Sequence, residues 1–425
     1  MRIGVDARLW NESGVGRYIR NLVEQLLIID RKNNYTLFVL SKDIENIKYQ
    51  ISNIKKNWKL EIGNWKLSVA DTRWHTIEEQ LQFPSILNKE DLDLVHFPYF
   101  SVPIFYNRPF VVTIHDLILH HFPTGEASTL PRYLYNLKLI GYKFIISSAA
   151  KRAKKIITVS NSTKSEVVDH LGVSPHKVVV THEGVFSNSK LSPRGEAAGW
   201  PASPSASSRR DGSLGGRSGQ LKTQKHFLYI GNAYPHKNLE RLLEAFSKIR
   251  IDTNDYFEST RMKKDSDIFG EKIRNNSDLQ LVLVGKEDYF YKRLKEKVRN
   301  MGLEKSVLFY GEVSDEELSA LYKNALALVI PSLMEGFGLP ALEAMANKCL
   351  VLASDIPALR EVCVDAAIYF NPSKTEEIAQ KMTSVLHSND TYHYSDKIKK
   401  GFRKARMFSW EKMARETLTV YENCL

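Results

Sequence analysis

Two successive series of short apolar runs, each run separated from the next by a helix-length stretch, constrain this chain more than any other feature. The first series falls at residues 2–6, 36–40, 94–97, 110–114, 155–159 and 177–180. The second falls at 227–230, 279–284, 307–309, 325–330, 349–353 and 367–369. Runs of this kind, alternating with helical patterns, are how a parallel α/β sheet reads, because helices cover both faces and every strand is buried. The expectation is therefore α/β, with two Rossmann-like domains at 1–186 and 226–407. Residues 187–225 lie between them and are rich in Pro, Ser, Ala and Gly. Such a composition cannot bury a core and reads as a flexible linker. A second polar stretch, 252–278, reads as a partly disordered excursion. Residues 408–425 read as a closing amphipathic helix.

At 425 residues the chain is long enough for two ordinary domains. Its apolar fraction, 43%, is that of a globular protein. No apolar run approaches the roughly 18 residues that span a bilayer, and the chain opens directly on a strand, with no signal-peptide pattern. Cys349, Cys363 and Cys424 have no paired spacing. A sparse, odd set fits a reducing cytoplasm and argues against a structural zinc site. The net charge of +11 points to an anionic partner, whether nucleic acid, membrane surface or phosphorylated substrate. With no nucleic-acid-binding motif present, nucleic acid ranks last.

The chemistry concentrates in Glu335-Gly-Phe-Gly-Leu-Pro-Ala-Leu-Glu343. An apolar run precedes it, Gly336 and Gly338 break the chain, and Pro340 suits the first helical position. The unit reads as strand, glycine turn, helix, which aims backbone N–H groups at an anion. Glu335 falls in the loop and Glu343 in the first helical turn. A carboxylate so placed can take the hydroxyls of a ribose, although the same residues also fit a plain helix start with a solvated acid. Lys237, in Gly231-Asn-Ala-Tyr-Pro-His-Lys-Asn238, follows a strand and precedes a helix. A lysine there suits a phosphate, since point charge and helix dipole act together. His115-Asp116 follows the strand at 110–114, with Asp116 placed to cap what comes next. His120 and His121 read as loop residues that only with Asp116 would suggest a metal. Asp91-Leu-Asp93 precedes its strand, at the wrong end for chemistry, and Asp265-Ser-Asp267 lies in the polar excursion. No metal is expected.

These segments resemble the retaining glycosyltransferases of the GT-B fold, family 4, whose mark is the E-x7-E motif. The resemblance runs from Met1 to about Tyr421, insertions aside. It implies two Rossmann-like domains facing across a cleft, with the last helix crossing back onto the first. It implies transfer of a sugar from a nucleotide diphosphate donor to a glycan or glycolipid hydroxyl. It assigns Lys237 to the diphosphate, Glu335 to the donor-sugar hydroxyls, Glu343 to the ribose and His115 to the sugar near its reacting carbon. Gly336, Phe337, Gly338 and Leu339 would line the donor site. Gly311 and Val313 would lie against the base. Gly14, Gly16 and Arg17, in a loop before a helix starting near Tyr18, would border the acceptor and the donor phosphates, with Gly16 permitting close approach. The family often has arginine after the first glycine of the Lys237 loop. Here Asn232 stands instead, and His236 is the nearby candidate to compensate.

Val5-Asp-Ala-Arg8, Ser13-Gly-Val-Gly-Arg-Tyr18 and Gly231 to Asn238 look most like bacterial mannosyltransferases of surface polysaccharide assembly. That implies GDP-mannose as donor and a glycan or polyprenyl-diphosphate-linked glycan as acceptor, in the cytoplasm, peripheral on the membrane's inner face. The rival readings are a nucleotide-sugar epimerase of similar architecture and a non-catalytic nucleotide-sugar-binding protein. The helical pattern at 129–155 mixes Leu134, Leu137, Ile140 and Ile145 with Lys138, Lys143, Lys151 and Arg152. It suits either an anionic membrane surface or packing on a sheet.

Overall fold

The structure is a computed structural model describing residues 1–12, 14–58, 64–123, 131–185, 225–259, 279–387 and 394–424; side chains are not described at 55–58, 132 and 250–259. The expected linker falls almost wholly outside these residues, as do residues 260–278. Contacts divide the chain into two units, Met1–Trp200 with Phe408–Leu425, and Pro201–Met407.

The first unit is a seven-stranded parallel sheet in the order β3-β2-β1-β4-β5-β6-β7. Its strands are β1 Arg2–Asp6, β2 Asn34–Val39, β3 Trp65–Val69, β4 Leu94–Phe97, β5 Phe110–Ile114, β6 Lys155–Thr158 and β7 Val178–Val180. The second unit carries β8 His226–Ile230, β9 Gln280–Val284, β10 Val307–Gly311, β11 Ala327–Ile330, β12 Val351–Ser354 and β13 Ile368–Phe370. Its order is β10-β9-β8-β11-β12-β13, again all parallel. Both sheets run outward from their first strand, then restart on its other side. That reversal makes a switch point, where ligands bind at strand carboxyl ends.

β3 was not expected. It is the sheet's edge, and its half-exposed Trp65-Lys-Leu-Ser-Val lacks the buried run that marks the central strands. The run at 325–330 shortens because Ala325 closes the preceding helix, its N–H reaching the Leu321 carbonyl. The helix Leu239–Ser259 carries on into the stretch read as an excursion. Asp91 and Asp93 hold Arg2, Asp93 by a 3.0 Å ion pair, at the amino end of the sheet.

Arg8 anchors the first unit. Only 2% exposed, it pairs with Asp6 and Glu79 at 2.7 Å each, donates to the Thr72 carbonyl and hydroxyl at 2.9 Å, and lies 3.7 Å over the Phe83 ring. Burial pulls its guanidinium down, but Asp6 and Glu79 more than reverse this and the net shift is upward. Helix Trp410–Glu422 belongs to this unit and buries Trp410, Met413, Thr417 and Tyr421. The Tyr421 hydroxyl meets His96 Nδ1 at 2.6 Å, and the Thr113 hydroxyl meets His96 Nε2 at 2.8 Å.

Burial holds the His96 imidazole down at about 3, with His115 adding to it. In the second unit, burial and then Lys237 hold His236 down at about 4, against Glu335. Unfolded histidine takes a proton near pH 6.5; these two do not until far lower. Unfolding therefore takes up protons below about pH 6.5, and stability falls with pH from there to about 3–4, at up to about 1.4 kcal/mol per pH unit per histidine. Thermal melts at pH 7.5, 6 and 5 are expected to show this decline, shallower in His96→Gln. A melting temperature level from pH 7.5 to 5 would contradict it.

Candidate functional site

In the second unit, the loops after β8 and β11 flank the switch point, since these two strands are neighbours across it. The β8 loop carries Lys237 at the end of a 3-10 turn, Pro235–Lys237. The β11 loop carries Glu335. The two side chains meet, with Lys237 Nζ at 2.8 and 2.9 Å from the Glu335 carboxylate oxygens. The Ser332 hydroxyl donates to the same carboxylate at 2.7 Å. Burial pushes the Glu335 carboxyl up, but Lys237, Ser332 and His236 outweigh it and the net shift is down. Glu335 is therefore a part-buried anion. Only 17% of the Lys237 side chain and 11% of the Glu335 side chain is exposed.

The loops are laced together locally. His236 is buried, and its carbonyl accepts from Leu333 N–H at 2.7 Å. Asn238 sits at φ 60°, a left-handed conformation asparagine tolerates. Its side-chain amide donates to the carbonyls of Pro331 and Pro372 at 2.9 and 2.8 Å. Two buried tyrosines turn the start of the β8 loop, Tyr291 donating to the Gly231 carbonyl at 2.7 Å and Tyr229 to the Asn232 carbonyl at 2.6 Å. Gly285 must be glycine, since a Cβ there would stand 2.1 Å from the Gly231 carbonyl oxygen. Gly311, at φ 71°, ends β10 and accepts from Gly285 N–H at 3.0 Å. Val313 follows it, half-buried.

The helix after Glu335 runs Leu339–Ala346 and is capped by Gly338 at φ 98°. Pro340 is thus its second residue, and Glu343 lies just beyond the first turn rather than in it. A Cβ on Gly338 would meet Leu359 at 2.6 Å, so both conformation and space require glycine. Phe337 is core, 3% exposed, and anchors the turn. Glu343 is buried and accepts from the Tyr322 hydroxyl at 2.8 Å.

In the first unit, His115 follows β5. Its Nε2 is 2.9 Å from the Pro98 carbonyl, which can only accept, so Nε2 carries the proton. Nδ1 faces the Glu183 carboxylate at 3.6 Å, and the Tyr18 ring meets the imidazole edge-on. Gly14, Gly16 and Arg17 lie in the first turn of helix Gly14–Ile29, not in a loop before a helix starting near Tyr18. Gly16 is required by its own chain, because a Cβ would stand 2.5 Å from the Trp10 carbonyl oxygen. Its small size serves that packing. Asp116 caps Ile118 N–H at 3.0 Å.

Ser332, Tyr229, Tyr291, Tyr322 and Glu183 escape a reading by motif. Tyr291, Tyr322 and Glu183 act on groups far along the chain, Ser332 and Tyr229 on groups three residues away, and neither periodicity nor spacing signals these contacts.

Residues 13–187 match the family described as Glycosyltransferase Family 4, and residues 216–402 match Glycosyl transferases group 1. The chain is 25% identical over 418 residues to the O-antigen chain mannosyltransferase B of Escherichia coli, covering 96% of each. It is 24% identical over 299 residues to the O-antigen chain mannosyltransferase RfbU of Salmonella typhimurium, covering 70% of this chain and 66% of that one. Among solved structures, sucrose-phosphate synthase from Thermosynechococcus elongatus superposes with a TM-score of 0.70 at 17% identity, covering 100% of this chain and 98% of the other.

Proposed function

We propose that this chain, which belongs to the family 4 glycosyltransferases of the GT-B fold, transfers mannose from GDP-mannose to a lipid-linked glycan with retention of configuration. The observation that carries this reading is the Lys237–Glu335 pair at the switch point of the second sheet. Breaking the donor's glycosidic bond leaves negative charge on the diphosphate and positive character on the sugar. Lys237 has three donors; Glu335 takes two. The third is offered to the diphosphate, and the helix beginning at Leu339 adds its dipole. Glu335, kept ionised, faces the sugar and its developing charge. Glu343, fixed by Tyr322, takes the ribose. His115 orients the sugar by accepting from a hydroxyl at Nδ1. The loop glycines Gly231 and Gly311 let the chain lie close to the nucleotide.

No step in this scheme needs a metal: Asp91 and Asp93 are committed to Arg2 at the opposite end of their sheet. The mannosyl choice rests on the relatives, which are named as O-antigen chain mannosyltransferases. Proton NMR of the product formed from GDP-α-mannose and an extracted lipid-linked acceptor, with EDTA present, tests the whole reading. An α-linked product supports it. A β-linked product, or a strict metal requirement, overturns the mechanism. Epimerised free donor would favour the epimerase.

The acceptor's lipid gives meaning to helix Arg132–Arg152. Tyr142, Ile146, Ala149 and Ala150 bury one face in the first unit's core. Tyr133, Leu137, Ile140 and Phe144 are 71%, 64%, 65% and 60% exposed. Their spacing of four, three and four residues puts them in one stripe. Lys138 and Lys143 flank it, also exposed. Among the described residues no helix is long and apolar enough to cross a membrane. An apolar stripe with basic flanks suits lying on an anionic leaflet. Flotation with phosphatidylglycerol vesicles is expected to recover the protein at low salt and less at high salt, because screening shortens the attraction to about 8 Å at physiological ionic strength. Leu137→Glu with Ile140→Glu should abolish recovery at both. Recovery unchanged by this pair would remove the membrane claim.

A further inference from the structure

The helix Asn161–Leu171 and the short turn Ile118–His121 bring three ligand-type side chains together away from the residues discussed above. His121 Nε2 lies 2.6 Å from Glu166 Oε2, and His170 Nε2 lies 3.7 Å from the same oxygen. All three ligand atoms fall within 4.8 Å of one another, the one such cluster among the described residues. We propose that His121, Glu166 and His170 form a binding site for a divalent transition cation, zinc in the first place, that is separate from the chemistry of transfer.

Three features carry this. Glu166 and His170 are four residues apart on one helix, so they present to the same side. His121 comes from a different segment and closes the triangle. Both imidazoles aim Nε2 at a single carboxylate oxygen, with their rings edge-on at 4.9 Å. Two histidines with a glutamate form a known zinc donor set. Zinc bonds of about 2.0–2.1 Å place tetrahedral ligand atoms about 3.3–3.5 Å apart. The shorter carboxylate contact must open and the longer one close, each by less than about 1 Å, and the two Nε2 atoms, within 4.8 Å of each other, must approach by at most about 1.5 Å on that geometry. The side chains are 34%, 28% and 42% exposed, leaving solvent access for entry and for a water as fourth ligand.

The site would brace the segment that begins at His115. The Thr163 hydroxyl, in the first turn of the same helix, already donates to the His115 carbonyl at 3.2 Å. A cation at His121 would fix the other end of that segment to the same helix, two turns on. The ion therefore acts on order and not on the reacting atoms.

The test uses the untagged full-length protein, freed of metal by chelation and then titrated with zinc, with cobalt as a spectroscopic probe. One equivalent of zinc is expected to bind and raise the melting temperature of the first unit. Cobalt should give the visible absorption of a tetrahedral site. Zinc should also slow amide exchange over residues 117–121. His170→Ala and Glu166→Gln should each weaken zinc at least tenfold while leaving the metal-free melting temperature nearly unchanged. No saturable binding, or binding that both variants retain, would overturn the proposal and leave His121 and Glu166 a hydrogen-bonded surface pair only.

Discussion

Lys237→Ala is expected to lower turnover by about 10²–10³, the range for removing one preorganised partner of a developing anion. The variant should also lose stability, which a lysine serving only the substrate would not cause. Glu335 is part-buried and ionised, and without Lys237 it keeps the Ser332 hydroxyl and the neighbourhood of His236. An unpaired, part-buried carboxylate costs about 1–3 kcal/mol. The double variant Lys237→Ala/Glu335→Gln separates the two effects. It should recover most of the lost melting temperature, because the neutral amide needs no counter-charge, and recover no activity. If activity returns with stability, the pair is structural and the charge assignment fails. If Lys237→Ala turns over normally, the diphosphate is held elsewhere.

Arg8→Ala is expected to cost about 3–5 kcal/mol, the range for breaking a buried ion pair from one side. Against a net stability of about 5–15 kcal/mol, this threatens folding of the first unit. The loss would leave Asp6 and Glu79 near each other with no cation between them. Arg8→Lys should be only partly better. Three guanidinium nitrogens reach Asp6, Glu79 and Thr72 at once, and one ammonium cannot span them. Arg8→Met with Glu79→Gln should be markedly milder than Arg8→Ala, since the fully buried carboxylate is neutralised with its cation and only Asp6, which reaches solvent, is left unpaired. Chemical denaturation of each variant checks the order. Arg8→Ala within 1 kcal/mol of the parent, a size typical of surface changes, would mean the network contributes little.

How far the fold was legible depended on burial. A central strand such as β11 announces itself as an unbroken apolar run. The edge strand β3 does not, because Lys66 and Ser68 stand where water reaches one side. Likewise the start of helix Gly14–Ile29 was placed late, since two glycines in its first turn look like a loop until the close carbonyls of Leu9 and Trp10 explain Gly16. Charged and glycine-rich loops made Lys237, Glu335 and His115 visible. What those residues bond to was not visible. The ion pair between Lys237 and Glu335 joins positions 98 apart in sequence, brought together only because β8 and β11 become neighbours. The tyrosines that orient the Gly231 and Asn232 carbonyls are ordinary core residues by composition. His121 read as a loop histidine because its partners lie on another helix, 45 and 49 residues further along the chain.

On the proposed reading, the second unit binds a guanosine diphosphate sugar through the Lys237–Glu335 site. Calorimetric titration of the protein with GDP-mannose, set against UDP-glucose and ADP-glucose, tests it most directly. GDP-mannose should bind at least tenfold tighter than either rival, a difference of about 1.4 kcal/mol, and lose at least that margin in Lys237→Ala. Equal or tighter binding of UDP-glucose, or GDP-mannose affinity untouched by the loss of Lys237, would contradict the account.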